Sequence, residues 1–162
     1  MPDRRAWTIE FYADEGGREP IAKWLDPLSE VKRDAVLAAL THVLARLGPD
    51  VCESEWGKNL GSGLCEFRVR HTADETEAMF GGEARGAKKG SAIVLRVFFH
   101  TYGQRVILLL GGYDKGRDPS ERRQQKEIGD AQRRLEDFRV RRRAARTRPQ
   151  PRRSRGGLTQ YG

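Results

Sequence analysis

Two arginines, a tyrosine and a lysine lie on or just after segments that the sequence predicts to be neighbouring β-strands. Arg68 and Arg96 each alternate with apolar residues, so both side chains fall on the same predicted face of a sheet if the strands pair in the expected register. Tyr113 and Lys115 follow the end of the adjoining strand, directly after a glycine pair. Ionisable side chains at a rigid strand end are often part of a functional site.

This set of side chains suits the chemistry of a phosphate ester in RNA. Cleavage without a metal needs a base for the 2′-hydroxyl group, cations for the transition state and an acid for the leaving oxygen. The guanidinium forks of Arg68 and Arg96 would hold phosphate oxygens, and Lys115 would supply further charge. Tyr113 would either polarise the hydroxyl or stack on a base. A single outward arginine is usually only solvated, so the combination is what favours a functional interpretation.

Other residue types that do chemistry are too scattered to form a site. The chain has three histidines and two cysteines, with no metal-site or redox-motif spacing among them. Gly61-Ser62-Gly63 lacks the lysine of a phosphate-binding loop and predicts a turn. The sequence therefore predicts no metal and no cofactor, and both thiols are expected to be reduced.

The elements that would position the candidate residues follow an α+β order. Residues 7–12 alternate and predict a strand, residues 19–25 predict a short helix, and a longer helix with Ser29 as N-cap ends at Gly48-Pro49. Three further strands are predicted at residues 64–70, 93–99 and 105–110, before a last helix with Asp118 as N-cap and Glu121 completing a capping box. We expect a strand, two helices, a three-stranded, mostly antiparallel meander and a C-terminal helix, with the helices on one sheet face.

Two segments are predicted to lie outside this framework. Residues 71–91 are polar and glycine-rich and predict a long, mobile insertion. The chain has 31 basic and 23 acidic residues, but nine arginines and no acids lie from Arg139 onward, which leaves 22 basic and 23 acidic residues before them. We therefore predict a domain over residues 1–139 and a disordered, arginine-rich tail over residues 140–162. The tail is expected to be a solubilising end, with an electrostatic clamp on nucleic acid as the alternative.

The sequence shows no apolar signal region and no apolar run close to the ~18 residues that span a bilayer. It therefore predicts a cytoplasmic protein that has no membrane association.

Three segments resemble the RelE/ParE superfamily of toxins from bacterial toxin–antitoxin modules, and its phage-derived, HigB-like branch in particular. They are Lys58 to Arg68, Leu95 to Phe99 and Leu108 to Lys115, followed by Pro119 and the last helix. The resemblance covers roughly residues 7–138 in order and spacing, which gives these short motifs their specificity.

The resemblance implies a metal-independent endoribonuclease that cleaves mRNA on the translating ribosome and is held inactive by an antitoxin, expected to be a helix-turn-helix protein. It marks Arg68, Arg96, Tyr113 and Lys115 as catalytic positions, and we expect RNA-binding roles for Arg70, Lys58 and Arg117. Gly111 and Gly116 stand where the family has a histidine and a second lysine, so the general base is left unassigned.

Two alternatives remain open on the sequence alone. One branch of the superfamily inhibits DNA gyrase without cutting RNA, and the two arginines would then be contact residues for a protein target. The chain could also be a prophage remnant that folds without activity. The net charge of −1 over residues 1–138 suits a substrate presented by the ribosome better than free RNA.

Overall fold

The computed structural model describes residues 5–80 and 92–147, which form one mixed sheet of five strands with helices on both of its faces. The strands are β1 (Thr8–Phe11), β2 (Gly57–Gly61), β3 (Leu64–Val69), β4 (Leu95–Tyr102) and β5 (Val106–Asp114), in the spatial order β1-β5-β4-β3-β2. The α-helices are α1 (Pro20–Leu25), α2 (Glu30–Ala39), α3 (Ala45–Leu47), α4 (Ala73–Met79) and α5 (Glu121–Thr147).

The pairing of the strands confirms the α+β class and the antiparallel meander of β3, β4 and β5. β1 joins the other side of β5 as a parallel strand, with Thr8 opposite Val106. The prediction of four strands is incomplete, because residues 57–61 add a fifth strand along the outer edge of β3. The Gly61-Ser62-Gly63 turn is confirmed as the link between β2 and β3, and all three residues adopt positive φ angles.

Two apolar cores lie on opposite faces of the sheet. Phe67, Val97 and Phe99 belong to the core that α1 and α2 cover, whereas Leu64 and Phe98 belong to the core beneath α5. The predicted alternation of the strands is therefore confirmed. The prediction that the helices share one face is wrong, because Ala131 and Leu135 of α5 are buried against the face that was expected to stay partly polar.

The segment from Glu30 to Glu53 forms the main helical layer of the first core. The Ser29 hydroxyl accepts a hydrogen bond from the Lys32 backbone N–H at 3.3 Å, which confirms the predicted N-cap. After α2 a π-helical turn (Leu40–Leu44) leads to α3, and a 3-10 turn (Gly48–Glu53) follows. By length and composition alone this 24-residue stretch could cross a membrane, but half of the relevant window is buried inside the fold.

Helix α5 starts and ends later than predicted. Ser120, and not Asp118, caps it, since the Ser120 hydroxyl accepts from the Arg123 backbone N–H at 3.2 Å while Asp118 binds Ser120. The helix runs to Thr147, so residues 140–147, which were predicted to be tail, are helical. The remaining predicted tail, residues 148–162, lies outside the described residues.

The predicted mobile insertion contains a helix instead of a continuous loop. Residues Ala73–Met79 form α4, and the Thr72 hydroxyl caps it by accepting from the Glu75 backbone N–H at 3.2 Å. The helix packs on α2. Residues 81–91 of the insertion lie outside the described residues.

Candidate functional site

A row of three polar side chains crosses the sheet from β3 to β5. Arg68 lies opposite Arg96, and Arg96 lies opposite Tyr113. The predicted pairing of the two arginines on one sheet face is therefore confirmed. Tyr113 joins them from the end of β5, so the strands bring three of the four residues expected to be catalytic into one line.

A β-bulge in β5 sets the direction of the Tyr113 side chain. Phe98 pairs with Gly111 and Phe99 pairs with Leu109, so Leu110 is one extra residue in β5. If the same residues of β5 paired with β4 without a bulge, strand alternation would turn Tyr113 toward the opposite face of the sheet. Bulges of this kind often re-aim a side chain beside a functional site.

Glu66 connects the two arginines of the row. Its Oε1 atom accepts a hydrogen bond from Arg68 Nε at 3.0 Å and lies 3.5 Å from Arg96 Nε. The Glu66 side chain is 1% exposed, and its Oε2 atom has no hydrogen-bond partner within the described residues. A buried carboxylate shared by two guanidinium groups fixes both of them on the sheet surface.

Arg96 is buried, which corrects the prediction of an outward guanidinium group. Its side chain is only 4% exposed and lies on the sheet face that α5 covers. Burial lowers the pKa of Arg96, while the charge of Glu66 acts in the opposite direction. The Nη1 atom donates to the Leu95 carbonyl oxygen at 3.3 Å. Arg68, with 26% of its side chain exposed, is therefore the more accessible of the two arginines.

Tyr113 is buried beneath the first turns of α5. It is 1% exposed, and its ring stacks on Phe98 at a centroid distance of 6.2 Å. The Arg123 guanidinium lies 5.8 Å from the ring centroid and donates to Glu127 Oε1 at 2.8 Å. Burial, and next the charge of Glu66, raise the pKa of Tyr113 above 10.0. The phenol therefore stays protonated near neutral pH and can donate a hydrogen bond, yet within the described residues it has no partner.

The glycine pair before Tyr113 lets one helix approach each face of β5. A Cβ atom on Gly111 would lie 2.5 Å from Arg134 Nη1, which donates to the Leu110 carbonyl oxygen at 3.0 Å. A Cβ atom on Gly112 would lie 2.6 Å from the ring of Trp24 in α1. The two glycines thus serve helix packing on both sides of the strand, in addition to preceding the row.

The other predicted site residues surround the row without joining it. Lys58 is exposed on β2 and lies opposite Glu66, and Arg70 is exposed just after β3. Lys115 is half-buried in the turn after β5, and Arg117 is exposed in the same turn. Arg117 also lines a cleft of about 420 Å³, together with Trp24, Lys32, Asp114 and Arg123 among others. In this cleft Lys32 and Asp114 form an ion pair.

The cysteines and histidines do not extend the site. Cys52 and Cys65 are both free thiols, and burial raises the pKa of Cys65 to about 12. His100 Nδ1 lies 2.7 Å from the Gly63 carbonyl oxygen, near the opposite end of β4, and burial lowers its pKa. Within residues 5–80 and 92–147, no group of three or more His, Cys, Asp or Glu side chains could hold a metal ion.

Sequence reasoning missed three residues of this site, which are Glu66, Arg123 and Glu127. Glu66 could have been found, because it lies two residues before Arg68 and strand alternation puts both on one face. Arg123 and Glu127 gave no such signal, since their contribution depends on where α5 crosses the sheet. Chemically, the site combines a buried carboxylate, arginine and phenol with a rim of accessible cations.

A search of protein-family models finds no match to this sequence, and a search of curated proteins finds none either. The likeness to RelE/ParE toxins therefore depends on the three sequence segments quoted for it.

Proposed function

We propose that this chain is a toxin of a toxin–antitoxin module, of the RelE/ParE type, that cleaves mRNA on the ribosome without a metal ion. The observation that carries the proposal is the row of Arg68, Arg96 and Tyr113, aligned across three strands on one face. Two cations and a phenol within one row supply charge stabilisation and a proton donor for phosphate chemistry. The expected partner is a helix-turn-helix antitoxin, and the expected location is the cytoplasm.

The residues of the row differ in exposure, so they would contact RNA in different ways. Arg68 can reach a phosphate group directly, with Lys58 and Arg70 as exposed cations nearby. Tyr113 can touch RNA only if the first turns of α5 move away, because Arg123 lies over its ring. Arg96, which is 4% exposed, likewise needs the groups around it to move. Such a movement would couple substrate binding to completion of the site.

Glu66 and Tyr113, the two side chains of the site that carry oxygen atoms, would transfer the protons. Glu66 has a carboxylate oxygen without a partner in the described part of the chain, so it can accept the proton of the 2′-hydroxyl group. Tyr113, which stays protonated, can donate to the leaving oxygen. This assignment does not require the histidine that the family has where this chain has Gly111.

The proposal is tested by substituting Tyr113→Phe and measuring translation-coupled mRNA cleavage by primer extension. The phenol oxygen has no partner within the described residues, so its removal should leave the thermal stability unchanged or slightly higher. Loss of a proton donor should slow cleavage roughly 100-fold or more. Tyr102→Phe is the matched control, because Tyr102 lies near the other end of the same sheet, where its hydroxyl binds Glu10 at 2.8 Å.

Each alternative function predicts a different outcome of the same experiment. A wild-type chain that arrests growth without producing new mRNA ends would overturn the nuclease and favour a toxin that binds a protein target such as DNA gyrase. The burial of Arg96 and Tyr113 is the observation that favours this second candidate, since buried side chains contribute structure more readily than substrate contacts. A folded wild-type chain without toxicity or cleavage would indicate a prophage remnant.

A further inference from the structure

The second half of α5 carries a concentration of positive charge that the candidate site does not use. Residues 138–147 contain five arginines and no acidic residue, whereas all acidic residues of the helix lie at or before Asp137. Three of these arginines lie three, four and seven residues after a fourth, which places all four along one side of an α-helix. We call this set the C-terminal arginine stripe, and its members are Arg139, Arg142, Arg143 and Arg146.

Contacts with the body of the protein hold part of the stripe in place. Arg139 Nη2 donates to the Ser62 carbonyl oxygen at 2.7 Å. The Arg142 guanidinium lies 4.5 Å from the centroid of the Tyr102 ring, and that ring in turn packs on Phe138 at 4.8 Å. An arginine fixed on an aromatic platform loses less conformational entropy when it binds a ligand.

The charges of the stripe are poorly neutralised within the protein. Over the described ranges, no carboxylate lies within salt-bridge distance of Arg142 or Arg146. Arg143 lies 3.6 Å from Glu136, but their side chains are 69% and 64% exposed, so water and salt screen the pair. Arg141 shows the contrast, because it donates to Asp137 at 2.7 Å and to the Ala13 carbonyl oxygen.

The hairpin turn between β4 and β5 lies beside this surface. A Cβ atom on Gly103 would lie 3.8 Å from Arg142 Nη2, so the turn is next to the end of the helix. Arg105, in the same turn, is directed elsewhere, because its guanidinium lies 4.9 Å from the centroid of the Trp7 ring, which packs against the core that α1 and α2 cover. Six residues of β4 separate Tyr102 from Arg96, which is about 20 Å of extended strand. The surface is therefore spatially separate from the candidate site.

We propose that the C-terminal arginine stripe is a docking surface for the sugar–phosphate backbone of RNA. Arginine forks bind phosphate oxygens bidentately, and a stripe from i to i+7 covers about 10 Å, enough for neighbouring phosphates of one strand. The choice of RNA rests on the proposed function, because a contact about 20 Å from the row would orient an RNA that the row acts on. Binding of this kind weakens steeply with salt.

The test compares the binding of the full chain and two double variants to a 2′-O-methyl RNA hairpin, which cannot be cleaved, over a series of salt concentrations. The first variant combines Arg142→Gln with Arg146→Gln. The second combines Arg122→Gln with Arg133→Gln, which makes the same charge change at exposed positions in the first half of α5. We expect the slope of log affinity against log salt to fall by about 1.4 in the first variant, for two lost phosphate contacts, and to stay near that of the wild type in the second.

Three outcomes would overturn the docking surface. These are equal slopes for the two variants, tighter binding to a DNA hairpin of the same sequence, and arginine-dependent binding to anionic phospholipid vesicles in preference to RNA. Unchanged thermal unfolding of both variants separates lost contacts from lost folding. Because the probe is not cleaved, arginine-dependent binding by a chain that generates no new mRNA ends would refute the nuclease and support the docking surface. Cleavage of mRNA by a chain whose two double variants bind the probe with equal salt slopes would support the nuclease and refute the docking surface.

Discussion

Replacing Arg96 by alanine should destabilise the fold, although the sequence alone presents this residue as an outward side chain on a strand. The structure puts Arg96 at 4% exposure and its partner Glu66 at 1%, with 3.5 Å between Arg96 Nε and Glu66 Oε1. Removing the arginine would leave a buried carboxylate with one partner fewer and a void where the aliphatic part of the side chain packs. The variant therefore tests the burial of the whole row.

The expected loss follows from what remains around Glu66. Breaking a buried ion pair by removing one partner usually costs about 3–5 kcal/mol. Here Arg68 still donates to Glu66 at 3.0 Å, so we expect the lower end of that range, about 3 kcal/mol. For a chain of 162 residues this corresponds to a melting temperature lower by roughly 6–12 °C.

Urea unfolding followed by circular dichroism measures the loss, with Arg70→Ala as the control. Arg70 is exposed just after β3, so its removal should change the free energy of unfolding by less than about 0.5 kcal/mol. The double substitution Arg96→Met and Glu66→Leu should recover much of the stability, because both buried charges are then replaced by apolar groups. A loss of less than about 1 kcal/mol in Arg96→Ala would refute the buried position of the arginine.

Three further changes probe other parts of the fold. Gly112→Ala should lower the free energy of unfolding in urea titrations by about 1–3 kcal/mol, because its Cβ atom would lie 2.6 Å from an indole ring. Gly129→Ala, in α5, should raise it by about 0.5–1 kcal/mol, because alanine favours a helix and the nearest atom to its Cβ would be 3.9 Å away. Hydrogen bonds from Tyr12, and next from a neighbouring arginine, lower the pKa of Asp137, so the stability difference between wild type and Asp137→Asn should be present at neutral pH and shrink as the pH falls below 3.8 in pH-dependent melts. A chain ending at residue 139 should unfold with about 1–2 kcal/mol less stability than one ending at 147, since it loses a hydrogen bond to a backbone carbonyl and a cation–π contact, and equal calorimetric melts would contradict this.

The sequence predicts the elements whose own residues show a clear apolar pattern. Strand β3 alternates apolar and polar side chains, β4 and β5 contain continuous apolar runs, and Ser29 stands just before a helical stripe. These local patterns also align Arg68 with Arg96, because two such strands joined in an antiparallel sheet have few registers that bury both apolar faces.

The elements that escaped prediction have weak patterns of their own. β2 reads Gly-Lys-Asn-Leu-Gly, and an edge strand needs only one partner and no continuous apolar face. α4 reads Ala-Asp-Glu-Thr-Glu-Ala-Met, in which Thr76 is the one buried residue. Such segments take their structure from what they pack against, which no local window of sequence contains.

The candidate site could also be predicted only in part. Which residues share a face follows from alternation, but the burial of Tyr113 depends on how α5 packs back onto the sheet, where Arg123 lies over the Tyr113 ring. The extra residue in β5 is likewise invisible in composition, because Leu108, Leu109 and Leu110 are identical in type and differ only in the face that each one meets.

That extra residue makes the length of β5 a determinant of the site. Deleting Leu110 would remove the bulge and leave a regular ladder in which Tyr113 still pairs with Arg96, so the row would survive. Deleting two residues from the bulge would instead exchange the faces of the strand end, so that Tyr113 would lie opposite Val97 and turn toward α1 while Asp114 entered the row. A related chain could therefore keep both arginines and the tyrosine and still have lost the row. When other sequences are aligned with this one, a gap of one residue in β5 should not count as a change of site, whereas a gap of two residues should.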